Sequence, residues 1–142
     1  EFMIITNPSE PFKPLVKVAS GGEISRVMLA IKTVFATSDE IMCVIFDEID
    51  TGVSGKSSIA IAHKLKSISS RHQVLCVTHT AQLAAAANSN YLISETVADG
   101  ITSTSISCLD SDAKVNEVSR LLSGTNVTKS LDLAKQLCDT FK

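Results

Sequence analysis

Apolar residues recur along the chain with two periods, and the switches between them mark its elements. Met42 to Phe46, MCVIF, is an unbroken apolar run of strand length. Such a run suits a strand covered on both faces, as in a parallel sheet. VLCVTH, at 74–79, is a second run of this kind. Before the first run the spacing is helical: Ile24, Val27, Met28, Ile31 and Phe35 fall at i, i+3, i+4, i+7 and i+11. That is one apolar face of a helix from about Gly22 to about Thr37. Ser54 to Ser70, with Ile61, Leu65 and Ile68 on one face, predicts another helix.

The remaining elements follow from turn residues. FMIIT, at 2–6, predicts a short strand, and NPSEPFKP, which holds all three prolines, a loop. TAQLAAAAN, at 80–88, predicts a short helix whose alanines allow close packing. Residues 91–109 read as a hairpin turning at Asp99-Gly100. Two closing helices carry Val115, Val118, Leu121 and Leu122, ending at Gly124, and then Leu131, Ala134, Leu137, Cys138 and Phe141. Helix alternating with strand predicts an α/β fold with a mainly parallel sheet flanked by helices. There is no internal repeat, and residues 1–142 fit one domain.

Composition narrows the classes. A net charge of -2 argues against a general polyanion-binding surface and leaves a local basic patch open. No apolar run approaches the length of a membrane span, and the N-terminus shows no secretory signal. The expected setting is cytoplasmic. Aromatics are 4% with no Trp, so the core must rest on Ile, Leu, Val and Ala. Cys43, Cys76, Cys108 and Cys138 form no close pair, and Cys43 and Cys76 within apolar strands predict buried free thiols. His63, His72 and His79 lack zinc-ligand spacing with them. The chain opens at Glu1 inside an apparent strand, which reads as a fragment of a longer protein with an exposed sheet edge.

Asp50 to Ser58, DTGVSGKSS, raises the question of a phosphate loop. The pattern G-x-x-x-x-G-K-[ST] would need glycine at position 50, which is Asp50, and Gly52 leaves only two residues before Gly55. Charge argues the same way, since Asp47, Glu48 and Asp50 precede the turn. Two like charges at 4 Å cost roughly 4 kcal/mol at an effective dielectric of 20. A helix N-terminus returns only about 0.3–1 kcal/mol in favour of an anion. Lys56 is therefore expected to face solvent in a first helical turn.

Three other stretches carry candidate chemistry, each beside an ordinary reading. Asp47 and Glu48 end an apolar strand, where open α/β sheets bind ligands. Asp47 there could hold Mg²⁺ and Glu48 could orient or deprotonate water; a solvated acidic loop is the alternative. Ser20-Gly21-Gly22 opens a helix and could receive an anion; a capping box of Ser20 with Glu23 is the alternative. His79 ends the second apolar strand and could reach a terminal phosphate; a structural histidine is the alternative.

Taken in order, SGGE on a helix, IFDE ending a strand and a strand-end His resemble the C-terminal half of an ABC-type ATPase head. TNPSEPFKPLVKVASGGEISRVMLAIK, FDEIDTGVSG and QVLCVTHTAQLAA further resemble the RecN family of bacterial double-strand-break repair ATPases, which are related to SMC proteins; LLSG-x-x-VT at 121–128 extends the likeness. The resemblance implies a C-terminal lobe of a P-loop ATPase head, with ATP and Mg²⁺ as cofactors. Two heads would sandwich ATP. Ser20, Gly21, Gly22 and Glu23 would form the signature loop over a partner head's nucleotide. Asp47 would hold Mg²⁺, Glu48 would be the general base, Asp50 would act in the D-loop, and His79 would contact the γ-phosphate. The partners implied are a second head, the N-terminal half of its own head, and DNA, with no membrane. The 142 residues contain no phosphate loop, so this stretch alone is expected not to hydrolyse ATP. The competing expectations are the ATPase half of an ABC transporter, whose signature usually reads SGGQ, and a non-catalytic dimerisation module.

Overall fold

The computed structural model describes residues 2–5, 8–18, 20–35, 41–98, 100–124 and 127–142. The chain divides into two compact units, Glu1–Thr78 and His79–Lys142.

In the first unit, β1 (Met3–Ile4) pairs antiparallel with β2 (Lys13–Pro14), which leads into a single turn of helix, α1 (Leu15–Val18). The proline loop thus ends in a strand that its composition did not predict, and the helical turn follows directly after it. Helix α2 (Gly21–Phe35) precedes β3 (Cys43–Phe46), then α3 (Gly55–Ser69) and β4 (Gln73–Cys76). β3 and β4 pair in parallel, Val44 opposite Val74 and Phe46 opposite Cys76, as a strand–helix–strand crossover requires. Thr37, the expected end of α2, and Thr6, of the first expected strand, lie outside the described residues.

The core of this unit lies on one side of the parallel pair. Phe46, Ile49, Ile61, Ala62, Leu65 and Ile68 are buried. Ile61, Leu65 and Ile68 are the apolar face predicted for α3. Two expectations are corrected. The β3 run was expected to be covered on both faces, but Ile45 is 67% exposed and Leu75, opposite it, 48% exposed. Within the described residues α3 lies over one face only. On α2 the structure buries Leu29 and leaves Met28 and Phe35, from the predicted face, exposed. Residues 27–31 are all apolar, so periodicity could not choose among the faces that they offer.

In the second unit, α4 (Ala81–Ala86) packs with α5 (Ser111–Ser123) and α6 (Val127–Asp139). Four alanines of α4 are buried, which permits close approach. Asp110 caps α5, its carboxylate accepting from the Ala113 N–H at 2.8 Å, and Gly124 ends it with φ 66°. A hydroxyl cluster joins α5 to α6: the Ser119 and Ser130 hydroxyls lie 2.8 Å apart in the buried interface. The hairpin β5 (Asn90–Ala98) and β6 (Ile101–Leu109) is antiparallel, with Ala98 opposite Ile101. Gly100 in its turn has φ 77°, whereas Asp99 lies outside the described residues.

Parallel pairing among the described residues is confined to β3 and β4, the other two sheets being antiparallel pairs. The class is mixed α/β, compatible with the C-terminal lobe of an ATPase head. All four cysteines are free thiols, but the burial expected of Cys43 is not found. Cys43 and Cys108 are exposed, and Cys76 and Cys138 half-buried, because Cys43 falls on the uncovered face of its strand.

Candidate functional site

The site is built where α2 begins and β3 ends. Ser20 and Glu23 make the capping box that their spacing allows. The Ser20 backbone N–H donates to Glu23 Oε2 at 2.7 Å, and the Ser20 hydroxyl to the same oxygen at 3.0 Å. The Glu23 N–H approaches Ser20 Oγ at 3.4 Å. These bonds favour the ionised carboxylate and lower the Glu23 pKa, the backbone N–H being the larger cause and the hydroxyl the next. Ser20 and Glu23 are both exposed, so the turn faces solvent.

The two glycines matter here for space. A Cβ at Gly21 would stand 2.9 Å from Glu48 Oε2, and one at Gly22 only 2.6 Å from the Glu48 carbonyl oxygen. Their side-chain hydrogens therefore let the start of α2 lie directly against Glu48.

The loop after β3 is a tight turn. Glu48 has φ 56°, in the left-handed region unusual for a side chain with a Cβ. The turn is closed by the Thr51 N–H donating to the Glu48 carbonyl at 3.1 Å. The side chain of Ile49 is fully buried, which anchors the turn from below. Helix α2 holds its backbone: the Ser25 hydroxyl donates to the Asp47 carbonyl at 2.9 Å. Arg26 Nη1 donates to the carbonyls of Ile49 at 3.2 Å and Thr51 at 3.0 Å.

The carboxylates separate by environment. Asp47 and Glu48 are exposed at the strand end. Asp50 is 2% exposed and its Oδ2 accepts a short hydrogen bond from the Thr78 hydroxyl. Its carboxylate ties the turn to the segment after β4 and lies inside the unit. The half-buried Cys76 thiol nearby is pushed up to about 12, first by burial and then by the charges of Asp50 and Asp47. Gly55 opens α3 and Lys56 stands exposed in its first turn.

Six of the predicted residues, Ser20, Gly21, Gly22, Glu23, Asp47 and Glu48, thus lie where α2 meets the turn after β3, Gly22 buried and the other five exposed, with Asp50 also buried. His79 is the first residue of the second unit, exposed and one residue ahead of Thr80, which precedes α4. Sequence reasoning missed Ser25, Arg26 and Thr78, which hold the turn. The one available signal was the polar pair Ser25-Arg26 interrupting the apolar run of α2.

Among the described residues, no group of three or more His, Cys, Asp or Glu side chains is arranged to hold a metal. Two exposed carboxylates at a strand end still fit Mg²⁺, a hard cation that takes one or two carboxylates and fills its shell with water and phosphate oxygens. No helix among the described residues is long and apolar enough to cross a membrane.

An Asp-Glu strand end set against a glycine-opened, capped helix, in a mixed α/β lobe, is compatible with the C-terminal part of an ATPase head. Sequence comparison narrows the class. No family model matches the chain. It is 48% identical over 140 residues to DNA repair protein RecN of Halalkalibacterium halodurans, spanning 98% of this chain and 25% of that protein. It is 48% identical over 136 residues to RecN of Bacillus subtilis, spanning 96% of this chain and 23% of that protein. RecN of Deinococcus radiodurans is 43% identical over 131 residues, 92% of this chain and 23% of that protein. The chain belongs to the RecN family and corresponds to a C-terminal segment of it. It spans about a quarter of the length of these curated relatives.

Proposed function

We propose that this chain is the C-terminal half of the ATPase head of a RecN-type DNA repair protein, acting in recombinational double-strand-break repair in the cytoplasm, beside the nucleoid. The observation that carries the reading is the seat of Glu48. Its carboxylate stands exposed at the end of a parallel strand, against the glycine turn that opens α2. An exposed carboxylate on a residue held in the left-handed backbone region suits contact with a ligand better than packing.

In this reading Asp47 holds Mg²⁺ and Glu48 takes the proton from the attacking water. The metal, when bound, neutralises phosphate charge that the carboxylates would otherwise repel. Gly21 and Gly22 offer helix-end N–H groups to the γ-phosphate of ATP on a second head, and the Ser20 hydroxyl, which donates to Glu23 in this structure, would turn to that phosphate on pairing. Glu23 fixes that turn by its capping bonds. Asp50 shapes the D-loop from within, and His79 contacts the γ-phosphate in its own head. The N-terminal half of the head supplies the phosphate loop that these 142 residues lack, and covers the apolar face exposed at Ile45 and Leu75. DNA is engaged by the full-length protein. The relatives' shared name, DNA repair protein RecN, favours this reading over a transporter.

Ser20→Arg in the full-length protein tests the head-pairing role. A bulky cation over the exposed turn should abolish ATP-dependent pairing of heads, seen by sedimentation, while equilibrium nucleotide binding stays within about twofold. Pairing at the wild-type level would overturn the role given to the signature turn.

A further inference from the structure

The loop from Asp47 to Thr51 has more backbone acceptors than its own turn can satisfy. The Glu48 carbonyl takes the Thr51 N–H. The carbonyls of Asp47, Ile49 and Thr51 are instead met by two adjacent side chains of α2. Ser25 donates to Asp47, and one nitrogen of Arg26, which has two hydrogens, donates to both Ile49 and Thr51. We infer that Ser25 and Arg26 are positioning residues that set the direction of the Asp47 and Glu48 side chains through the backbone of this turn.

The turn needs such support. Glu48 holds a left-handed φ of 56° that a residue with a side chain rarely adopts, and it persists only where its surroundings impose it. The anchors bracket it on both sides: Ser25 grips the carbonyl just before Glu48, and Arg26 the carbonyls one and three residues after it. Gly21 and Gly22 allow the same helix to lie against Glu48 itself. A guanidinium suits the task, since it stays charged at any working pH and holds its donors in a rigid plane. One helix therefore carries both the Ser20–Glu23 turn at its start and, a turn later, the grip on the carboxylates. Any movement of its first turn is passed to Glu48.

This inference rests on the reading of Glu48 as the base, and its test separates the two. ATP turnover is measured in the full-length protein for Arg26→Met, Arg26→Lys, Ser25→Ala and Glu48→Gln. Misplacing a reacting group by about 1 Å can cost roughly 100-fold in rate. Arg26→Met, which keeps the apolar stem and loses the donors, should lower kcat by roughly 10–100-fold with KM within about twofold. Arg26→Lys, with several donors on one nitrogen, should recover much of that loss, and Ser25→Ala should lower kcat less, in the same sense. Unchanged kcat in Arg26→Met and Ser25→Ala, while Glu48→Gln is inactive, overturns the inference alone. A loss in which KM rises in proportion and Lys gives no recovery also overturns it. If Arg26→Met does not fold, Ser25→Ala decides by the same split. Undiminished turnover in Glu48→Gln overturns the reading beneath it, and the inference with it.

Discussion

At the scale of single residues the site is a contrast between carboxylates held in different ways. Glu23 is exposed and tied to Ser20 by two short bonds; Asp50 is buried under the Thr78 hydroxyl; Asp47 and Glu48 face solvent from a turn gripped by its backbone. The Glu23 pKa is lowered from 4.5, so its capping contribution is fully present above that unfolded value and is lost as pH falls through the lower folded one. Titration of the Glu23 side chain by NMR should show this depressed value. Ser20→Ala should return only part of the shift, because the backbone N–H of residue 20 is the larger cause and survives the substitution. A full return, or none, contradicts the geometry. The Ser-Gly-Gly-Glu stretch was legible in the sequence both as a capping box and as an anion turn. The structure makes the capping box, which engages the Ser20 hydroxyl and backbone N–H with the Glu23 carboxylate.

At the scale of elements, hydrophobic period found most of the helices and strands but not always their covered faces. The face of α3 was legible because Ile61, Leu65 and Ile68 are separated by polar residues. That of α2 was not, since five consecutive apolar residues point all round the helix. The run in β3 correctly signalled a strand paired in parallel, yet period alone says nothing about what lies on each side. The cysteines report this directly. Thiolate is the reactive form, so a thiol pushed up to about 12, as Cys76 is by burial and two carboxylates, is nearly inert at neutral pH. Thiol alkylation of the 142-residue chain at pH 7.5, read by mass spectrometry, should modify exposed Cys43 and Cys108 first and Cys76 more than about tenfold more slowly. Equal rates at Cys43 and Cys76 would mean that the two faces of β3–β4 are not distinguished as described. The short β2 was missed because three prolines marked its stretch as loop, and α1, a single turn of four residues, is too short to show a helical period.

At the scale of the whole molecule, the chain is two compact units carrying about a quarter of a RecN-type protein. The family was legible from the order of three motifs, each ambiguous alone, and the sequence relatives bear it out. The candidate site was legible in its carboxylates and glycines, which short motifs record. It was not legible in Ser25, Arg26 and Thr78, whose partners lie 22 to 28 residues away and are backbone carbonyls or a buried carboxylate. The account stands or falls on Glu48 as the base within a head that needs its other half. General-base removal typically costs about 100- to 10,000-fold. The decisive measurement is the ATP turnover rate of the full-length protein carrying Glu48→Gln, beside the wild-type protein and the isolated 142-residue chain. The account predicts a fall of at least about 100-fold with ATP-dependent pairing retained, and no turnover by the isolated chain. Wild-type turnover in Glu48→Gln, or Glu48-dependent hydrolysis by the isolated chain, would contradict it.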